Sequence, residues 1–202
     1  ALAYHNSTSP IHRGVFLTRN IVGRQLKPPP NAIQFTDAHF DPTLTMREKV
    51  TQFTSDSACM ACHATINPLG FSLEHFDSLG RWRTAEKDKP IDAVSDFADD
   101  DGGTVELRGP RDVARLAVES PLSRRAFVRQ LFQHAVKQDT SAFGMYALDE
   151  LEKSFSESEC HIRNLLAEIA VRAAAFGLER PESTTSVSTR GNVRETVAAE
   201  AP

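Results

Sequence analysis

Cys59, Cys62 and His63 stand in the order C-x-x-C-H, within the stretch "SDSACMACHATINPLG". Proteins use two cysteines and a histidine at this spacing in three ways. They form part of a zinc site, a dithiol redox centre, or the attachment site of a covalent haem. Each chemistry needs different surroundings, so the rest of the sequence has to separate them.

The zinc and dithiol interpretations find little support around the motif. A structural zinc site needs four ligands, usually in two pairs, but the chain has one further cysteine, Cys160, and no second C-x-x-C or H-x-x-x-H. A thioredoxin-like dithiol follows an apolar strand in an α/β unit. Here a polar segment with helix-capping residues precedes the motif. Both interpretations stay as alternatives to haem.

A covalent haem gives every position of the motif a task. Cys59 and Cys62 are three residues apart, so on a helix they face the same side and can form thioethers with two vinyl groups of one porphyrin. His63 then lies where its imidazole can bind the iron. The carbonyl of Pro68 is a candidate to orient the Nδ1–H group of His63, as hydrogen-bond acceptors beside metal-bound histidines do. The sequence therefore favours haem c.

An apolar set follows the motif and is a candidate lining for the haem. The alternative for each residue is ordinary core packing. The candidate lining residues are Pro68, Leu69, Phe71, Phe76 and Trp82.

The pattern of apolar and capping residues predicts a mainly helical chain. A helix is expected over residues 11–24, and Thr45 with Glu48 forms a capping-box pattern ahead of another. A short helix should carry residues 59–64 and end at the "NPLG" that follows. Further on, a hairpin should turn at "DDDGG", residues 99–103. Four helices are expected over residues 110–119, 122–138, 145–157 and 161–176.

Composition excludes several classes of function. The chain has 202 residues, of which 40% are hydrophobic and 25% charged, with a formal net charge of -4. These values are ordinary for a globular protein. Lys and Arg are scattered, which gives no support for nucleic-acid binding. No apolar run reaches the length of a membrane span, and no nucleophile triad or phosphate-binding loop is present.

Three other features have ordinary structural interpretations. Cys160 is expected to be a small buried residue. Glu74 and Asp77 lie three residues apart, a spacing that could serve acid–base chemistry but is more simply explained by caps and solvated charges. Residues 181–202 have almost no large apolar side chain and are expected to be a disordered tail.

An ordered series of motifs resembles a known family. "TSPIHRGVFLTRNIVGRQLKPPPNA", "LTMREKV" and "SACMACHATINPLGFSLEHFDSLGRWR" resemble the C-terminal region of the large planctomycete-type cytochrome c proteins. "PIDAVSDF", "TVELRGPRDVARL" and "FVRQLFQHAVKQ" resemble the small helical domain that closes those proteins. The likeness extends over residues 1–177. The chain departs from it at "HAVKQDTSAFG", where the family commonly has a "YALGR"-like stretch.

The resemblance implies an exported multidomain protein with covalently bound haem. It implies that Cys59 and Cys62 attach the porphyrin and that His63 is the proximal iron ligand. His5 matches a histidine that often precedes the "TSP" motif of the family, and this makes it the first candidate for the distal ligand. His75 is the second candidate. Met46 and Met145 are weaker ones, since each falls on an apolar helical face. The remaining histidines are expected to be surface or satisfied structural histidines: His12, His39, His134 and His161.

These observations lead to one set of expectations. Residues 1–86 should form a helical c-type haem domain with a Pro-rich loop, and residues 87–180 a helical domain with one short β-hairpin. The expected function is electron transfer with a redox partner protein or a neighbouring domain, in the periplasm or at the cell surface. The chain is expected to be a piece of a longer polypeptide. The alternatives are a peroxidase- or oxidase-like haem enzyme with an open distal site, or a non-haem metal or thiol module.

Overall fold

The computed structural model describes residues 3–4, 7–28 and 35–176. The distal candidate His5, part of the Pro-rich loop and the tail predicted at residues 181–202 lie outside the described residues. Within them the chain is mainly helical, as predicted. No helix in this part of the chain is both long enough and apolar enough to cross a membrane.

Seven α-helices and three two-stranded antiparallel sheets make up the described part. The helices are α1 Pro10–Phe16, α2 Met46–Phe53, α3 Ser57–Phe71, α4 Pro110–Glu119, α5 Pro121–Val136, α6 Ala147–Glu157 and α7 Ile162–Ala175. The strand pairs are β1 Ala3–Tyr4 with β2 Ser7–Thr8, β3 Ala85–Glu86 with β4 Lys89–Pro90, and β5 Ser95–Ala98 with β6 Thr104–Leu107. A π-helix covers Leu17–Val22, and 3-10 turns cover Asp37–His39 and Thr140–Phe143.

Several local predictions are confirmed. The β5–β6 hairpin turns at the predicted acidic segment, where the Asp99 carboxylate accepts hydrogen bonds from the amides of Asp101 and Gly103. The four predicted helices of the second half match α4 to α7 within a few residues. The helix predicted over residues 11–24 is present as α1 and the π-helix after it, which ends at Gly23 in a left-handed conformation (φ 82°).

The capping box at the start of α2 is also confirmed. Thr45 Oγ1 accepts a hydrogen bond from the Glu48 amide at 3.2 Å, and Glu48 Oε2 accepts one from the Thr45 amide at 2.7 Å. These bonds satisfy amide groups that have no partner within the helix. They fix where α2 begins, and α2 leads directly to the helix that carries the cysteines.

The prediction that "NPLG" ends the helix of the cysteines is wrong. α3 runs through Pro68 to Phe71. Gly70 is needed for close helix packing, because a methyl group at this position would overlap the carbonyl oxygen of Pro10. A methyl group at Gly14 would likewise overlap the carbonyl oxygen of Ile66. Since Pro10 meets Gly70 and Gly14 meets Ile66, α1 lies antiparallel against the C-terminal half of α3.

One apolar cluster joins the two predicted domains. Leu17, Val22 and Leu69 pack with residues from beyond position 86, which are Phe97, Leu107, Val113 and Leu116. A second cluster lies between α5, α6 and α7, and a third joins α2 to the end of α3. The chain on both sides of residue 86 therefore shares a core, while the domain boundaries at residues 86 and 180 stay predictions.

The prediction that Cys160 is buried is wrong. Cys160 is exposed and has a φ of 58°, in the left-handed region. Its amide donates to the carbonyl of Phe155 at 2.9 Å, in the turn that ends α6. The demands of this turn, with Glu159 also left-handed (φ 53°), place the cysteine outside the core.

Candidate functional site

The N-terminal half of α3 is an uncovered helix that carries the C-x-x-C-H motif. None of residues 57–65 is buried, whereas Ile66, Asn67 and Leu69 are. Helix geometry places Cys59, Cys62 and His63 within an arc of about 100°. Both cysteines are free thiols and partly exposed. The three side chains therefore share one accessible face, as the haem interpretation requires.

The sequence of this half-helix explains both why it forms and why it stays uncovered. The Asp56 carboxylate caps it by accepting a hydrogen bond from the Ala58 amide at 2.8 Å. The residues within and next to the motif are small or apolar and are exposed: Ala58, Met60, Ala61 and Ala64. An apolar helical surface without cover is the kind of surface that a large apolar ligand occupies.

His63 is held by a side chain that the sequence interpretation missed. Its Nδ1 lies 2.9 Å from Asn67 Oδ1, while Asn67 Nδ2 donates to Thr54 Oγ1 at 2.8 Å. The sequence alone predicts that position 67 lies in a turn after a short helix. Because α3 continues, Asn67 lies four residues after His63 on the same face. That spacing was the signal in the sequence for this contact.

The prediction that the Pro68 carbonyl orients His63 is wrong. On the continuous helix this carbonyl points toward the C-terminal end of α3 and accepts the amide of Ser72 at 3.1 Å. The amide oxygen of Asn67 takes the place beside His63 Nδ1 instead. The Nε2 atom is then the ring nitrogen left for a metal ion.

The predicted lining residues lie in different surroundings. Leu69 and Phe71 are 0% and 6% exposed and belong to two different core clusters. Both side chains pack in the core, and their contact with a haem stays a prediction. Pro68 is half-buried on the same helix.

Phe76 and Trp82 lie together with the second distal candidate, His75. The ring centroids of His75 and Trp82 are 4.4 Å apart with nearly parallel planes, and Phe76 meets Trp82 edge-on at 5.5 Å. His75 Nδ1 lies 3.0 Å from the carbonyl oxygen of Arg83. Trp82 is exposed. His75 therefore has a firm position after the end of α3, and its role toward iron stays a prediction.

The other candidate ligands are placed as follows. Met46 is buried in the cluster with Val50 and Phe71, and Met145 is exposed in the second half of the chain. The histidines expected to be surface or satisfied structural ones are all exposed: His12, His39, His134 and His161. Among the residues that the structure describes, no three His, Cys, Asp or Glu side chains form a group that could hold a metal ion.

Two surface cavities lie away from the motif. One of about 510 Å³ lies beside α2 and is lined by Arg47, Glu48 and Lys89, among others. Another of about 680 Å³ lies between α6 and α7. Neither is lined by the two cysteines of the motif or by His63. The candidate site is thus the exposed face of α3 and neither of these two cavities.

The prediction that Glu74 is a solvated charge is wrong, although Asp77 is a turn cap as expected. Glu74 is 1% exposed and forms ion pairs with Arg13 and Arg83. Arg13 also donates to the carbonyl of Gly70 at the end of α3. The cluster fastens α1 and the segment at residue 83 to the end of α3. Burial raises the pKa of Glu74 despite both arginines, and it lowers the pKa of Arg13.

The raised pKa of Glu74 predicts a pH-dependent stability. Between the usual glutamate pKa of about 4.3 and the higher folded-state pKa, the native carboxyl keeps a proton that the unfolded chain has lost. The free energy of unfolding contributed by Glu74 therefore falls as pH rises through this window. We expect the stability of the wild type relative to Glu74→Gln to fall from pH ~4 upward, measured by urea unfolding. If the free energy of unfolding of the wild type relative to Glu74→Gln instead rises with pH, the two arginines affect the pKa of Glu74 more than its burial does.

Comparison with protein families gives a match over the first part of the chain. Residues 1–86 match the family model described as PSCyt3, a protein of unknown function (DUF1588). The family's name suggests a planctomycete-type cytochrome, and its description assigns no function. The match covers less than half of the chain and includes the C-x-x-C-H motif, α1, α2 and α3. No curated protein and no solved structure matches the chain.

Proposed function

We propose that this chain is a c-type cytochrome segment that carries one covalent haem and transfers electrons. Cys59 and Cys62 attach the porphyrin, and His63 binds the iron through Nε2. The observation that carries the proposal is the uncovered half of α3, which presents two free thiols and an oriented imidazole on one face. The cytochrome-like name of the family matched by residues 1–86 supports it.

The thiols of Cys59 and Cys62 supply the sulfur atoms and the protons that covalent attachment of haem needs. Cys59 and Cys62 would hold the porphyrin through thioethers, with each sulfur on one carbon of a former vinyl group and the thiol proton on the other. No oxidant is needed and no group leaves, but both thiols must be reduced, and the structure has no disulfide between Cys59 and Cys62. When bound, haem supplies a one-electron couple, and the protein tunes it through the axial ligands and burial.

We further propose that the site works outside the cytoplasm with a redox protein or a neighbouring domain as its partner. Haem attachment of this type takes place on exported chains. Because the motif half of α3 is exposed, a haem held there would be accessible to a partner. An edge near the surface shortens the path for an electron.

The sixth iron ligand decides between electron transfer and enzyme chemistry. With His5 bound, we expect the reduced haem protein to bind carbon monoxide slowly, because the histidine must first leave. His5→Leu should then bind carbon monoxide rapidly, and His75→Leu should behave like the wild type. Stopped-flow absorbance after mixing with carbon monoxide measures all three.

Two other outcomes of the carbon monoxide experiment would point to a different distal ligand or to an open distal site. If His75→Leu opens the site and His5→Leu does not, His75 is the ligand and the assignment of His5 is wrong. If the wild type already binds carbon monoxide rapidly, the distal site is open. That result would contradict simple electron transfer and favour a peroxidase- or oxidase-like haem enzyme.

A further inference from the structure

A chain of hydrogen bonds runs from His63 to the backbone of α2. His63 Nδ1 lies 2.9 Å from Asn67 Oδ1, and Asn67 Nδ2 donates to Thr54 Oγ1 at 2.8 Å. Thr54 Oγ1 in turn donates to the carbonyl oxygen of Val50 at 2.8 Å. Three hydrogen bonds thus connect the imidazole on α3 to a fixed carbonyl on the neighbouring helix. We call these residues the His63 relay.

The polarity of the relay follows from its last member. A backbone carbonyl can only accept, so the single hydroxyl proton of Thr54 is directed to Val50. Thr54 Oγ1 must then accept from the next group, which makes that group the amide nitrogen of Asn67. The amide oxygen of Asn67 therefore faces His63. Opposite an acceptor, Nδ1 of the neutral ring must carry the proton.

Burial makes this polarity hard to reverse. Thr54 is 1% exposed and Asn67 is 7% exposed. Little water can therefore reach these side chains to replace a missing hydrogen-bond partner. If the Asn67 amide were flipped, its oxygen would accept the hydrogen bond that Thr54 otherwise donates to the Val50 carbonyl. The flipped relay would contain one hydrogen bond fewer. The Nδ1–H form of His63 is therefore the favoured tautomer before anything binds to the ring.

We propose that Asn67 and Thr54 are positioning residues that preset His63 as a metal ligand. They keep the proton on Nδ1 and leave the lone pair on Nε2, the tautomer that a metal bound at Nε2 requires. The inference rests on the proposed function for the identity of the metal, which is haem iron. It adds that the fold selects the Nδ1–H tautomer of His63 before metal binding, through the side-chain amide of Asn67. The same hydrogen bond makes the imidazole more electron-donating, which favours ferric iron.

The first arm of the test uses the complete chain without haem. Nitrogen-15 NMR of labelled histidine distinguishes the two neutral tautomers. We expect His63 in the Nδ1–H form in the wild type. Asn67→Leu should shift the tautomer ratio toward Nε2–H by about five-fold, the effect of one hydrogen bond. Thr54→Val should shift it in the same direction, whereas exposed Thr51→Val on the same helix should not.

The second arm uses the haem-loaded protein. We expect Asn67→Leu to have a higher reduction potential than the wild type, because the hydrogen bond that favours ferric iron is lost. Thr51→Val should keep the wild-type potential. A purely structural role for Asn67 would lower stability without moving the tautomer ratio or the potential in this direction.

The two arms separate the inference from the proposed function. A wild-type His63 in the Nε2–H form would overturn the inference even if haem attaches normally. If the tautomer ratio is as expected but the chain does not attach haem, the inference about His63 holds and the proposed haem function is wrong. An unchanged potential in Asn67→Leu would overturn the tuning role.

Discussion

Cys59→Ser/Cys62→Ser is expected to abolish covalent haem attachment in cells that express c-type maturation machinery. Serine cannot form the thioether, and no other thiol lies on this face of α3 in the described part of the chain. Each single variant should keep at most one thioether, with one vinyl group left intact. The pyridine haemochrome spectrum of the purified proteins reports these differences.

Cys160→Ser is the matched control for these variants. Cys160 is the third free thiol and lies exposed in the turn after α6, outside the motif. This variant should bind haem like the wild type. Retention of covalent haem by the double variant, or its loss in Cys160→Ser, would contradict the assignment of the attachment residues.

Gly14→Ser is expected to cause a large loss of stability at the α1–α3 contact. Its Cβ atom would overlap the Ile66 carbonyl oxygen, a backbone atom that cannot rotate away. The helices must separate, and we expect a loss of about 3 kcal/mol, or about 10 °C in Tm for a chain of this size. Thermal unfolding followed by circular dichroism measures the change.

Gly109→Ser provides a matched control for the packing prediction. Gly109 precedes α4 with an extended φ of 168°, and no heavy atom lies within 4 Å of an added Cβ. Serine is also a good residue at a helix N-cap. This variant should stay within about 0.5 kcal/mol of the wild type. Equal effects at Gly14 and Gly109 would contradict the close approach of α1 to α3.

The sequence predicted elements best where short-range rules act alone. The capping box of Thr45 and Glu48 and the hairpin at the acidic turn depend on residues within a few positions of each other, and both are present in the structure. The placement of the two cysteines and His63 on one helical face is of the same kind. Local spacing was sufficient for these features.

The sequence failed where tertiary packing reverses a local preference. Pro68 and Gly70 are signals for the end of a helix, but the helix continues because Gly70 lets α1 approach α3. Because the sequence predicted too early an end for this helix, it did not predict the contact between Asn67 and His63, which needs a continuous helix. Leu69 joins a core whose other members come from distant segments such as β5 and α4. Spacing along the chain contains no signal for those contacts.

The most direct test of the central claim is the intact mass of the denatured wild-type chain, made with c-type maturation machinery. The proposal predicts a mass increase of one haem that survives denaturation, located on the peptide that contains Cys59 and Cys62. A chain at its unmodified mass, with both thiols free to react with an alkylating reagent, would contradict the account.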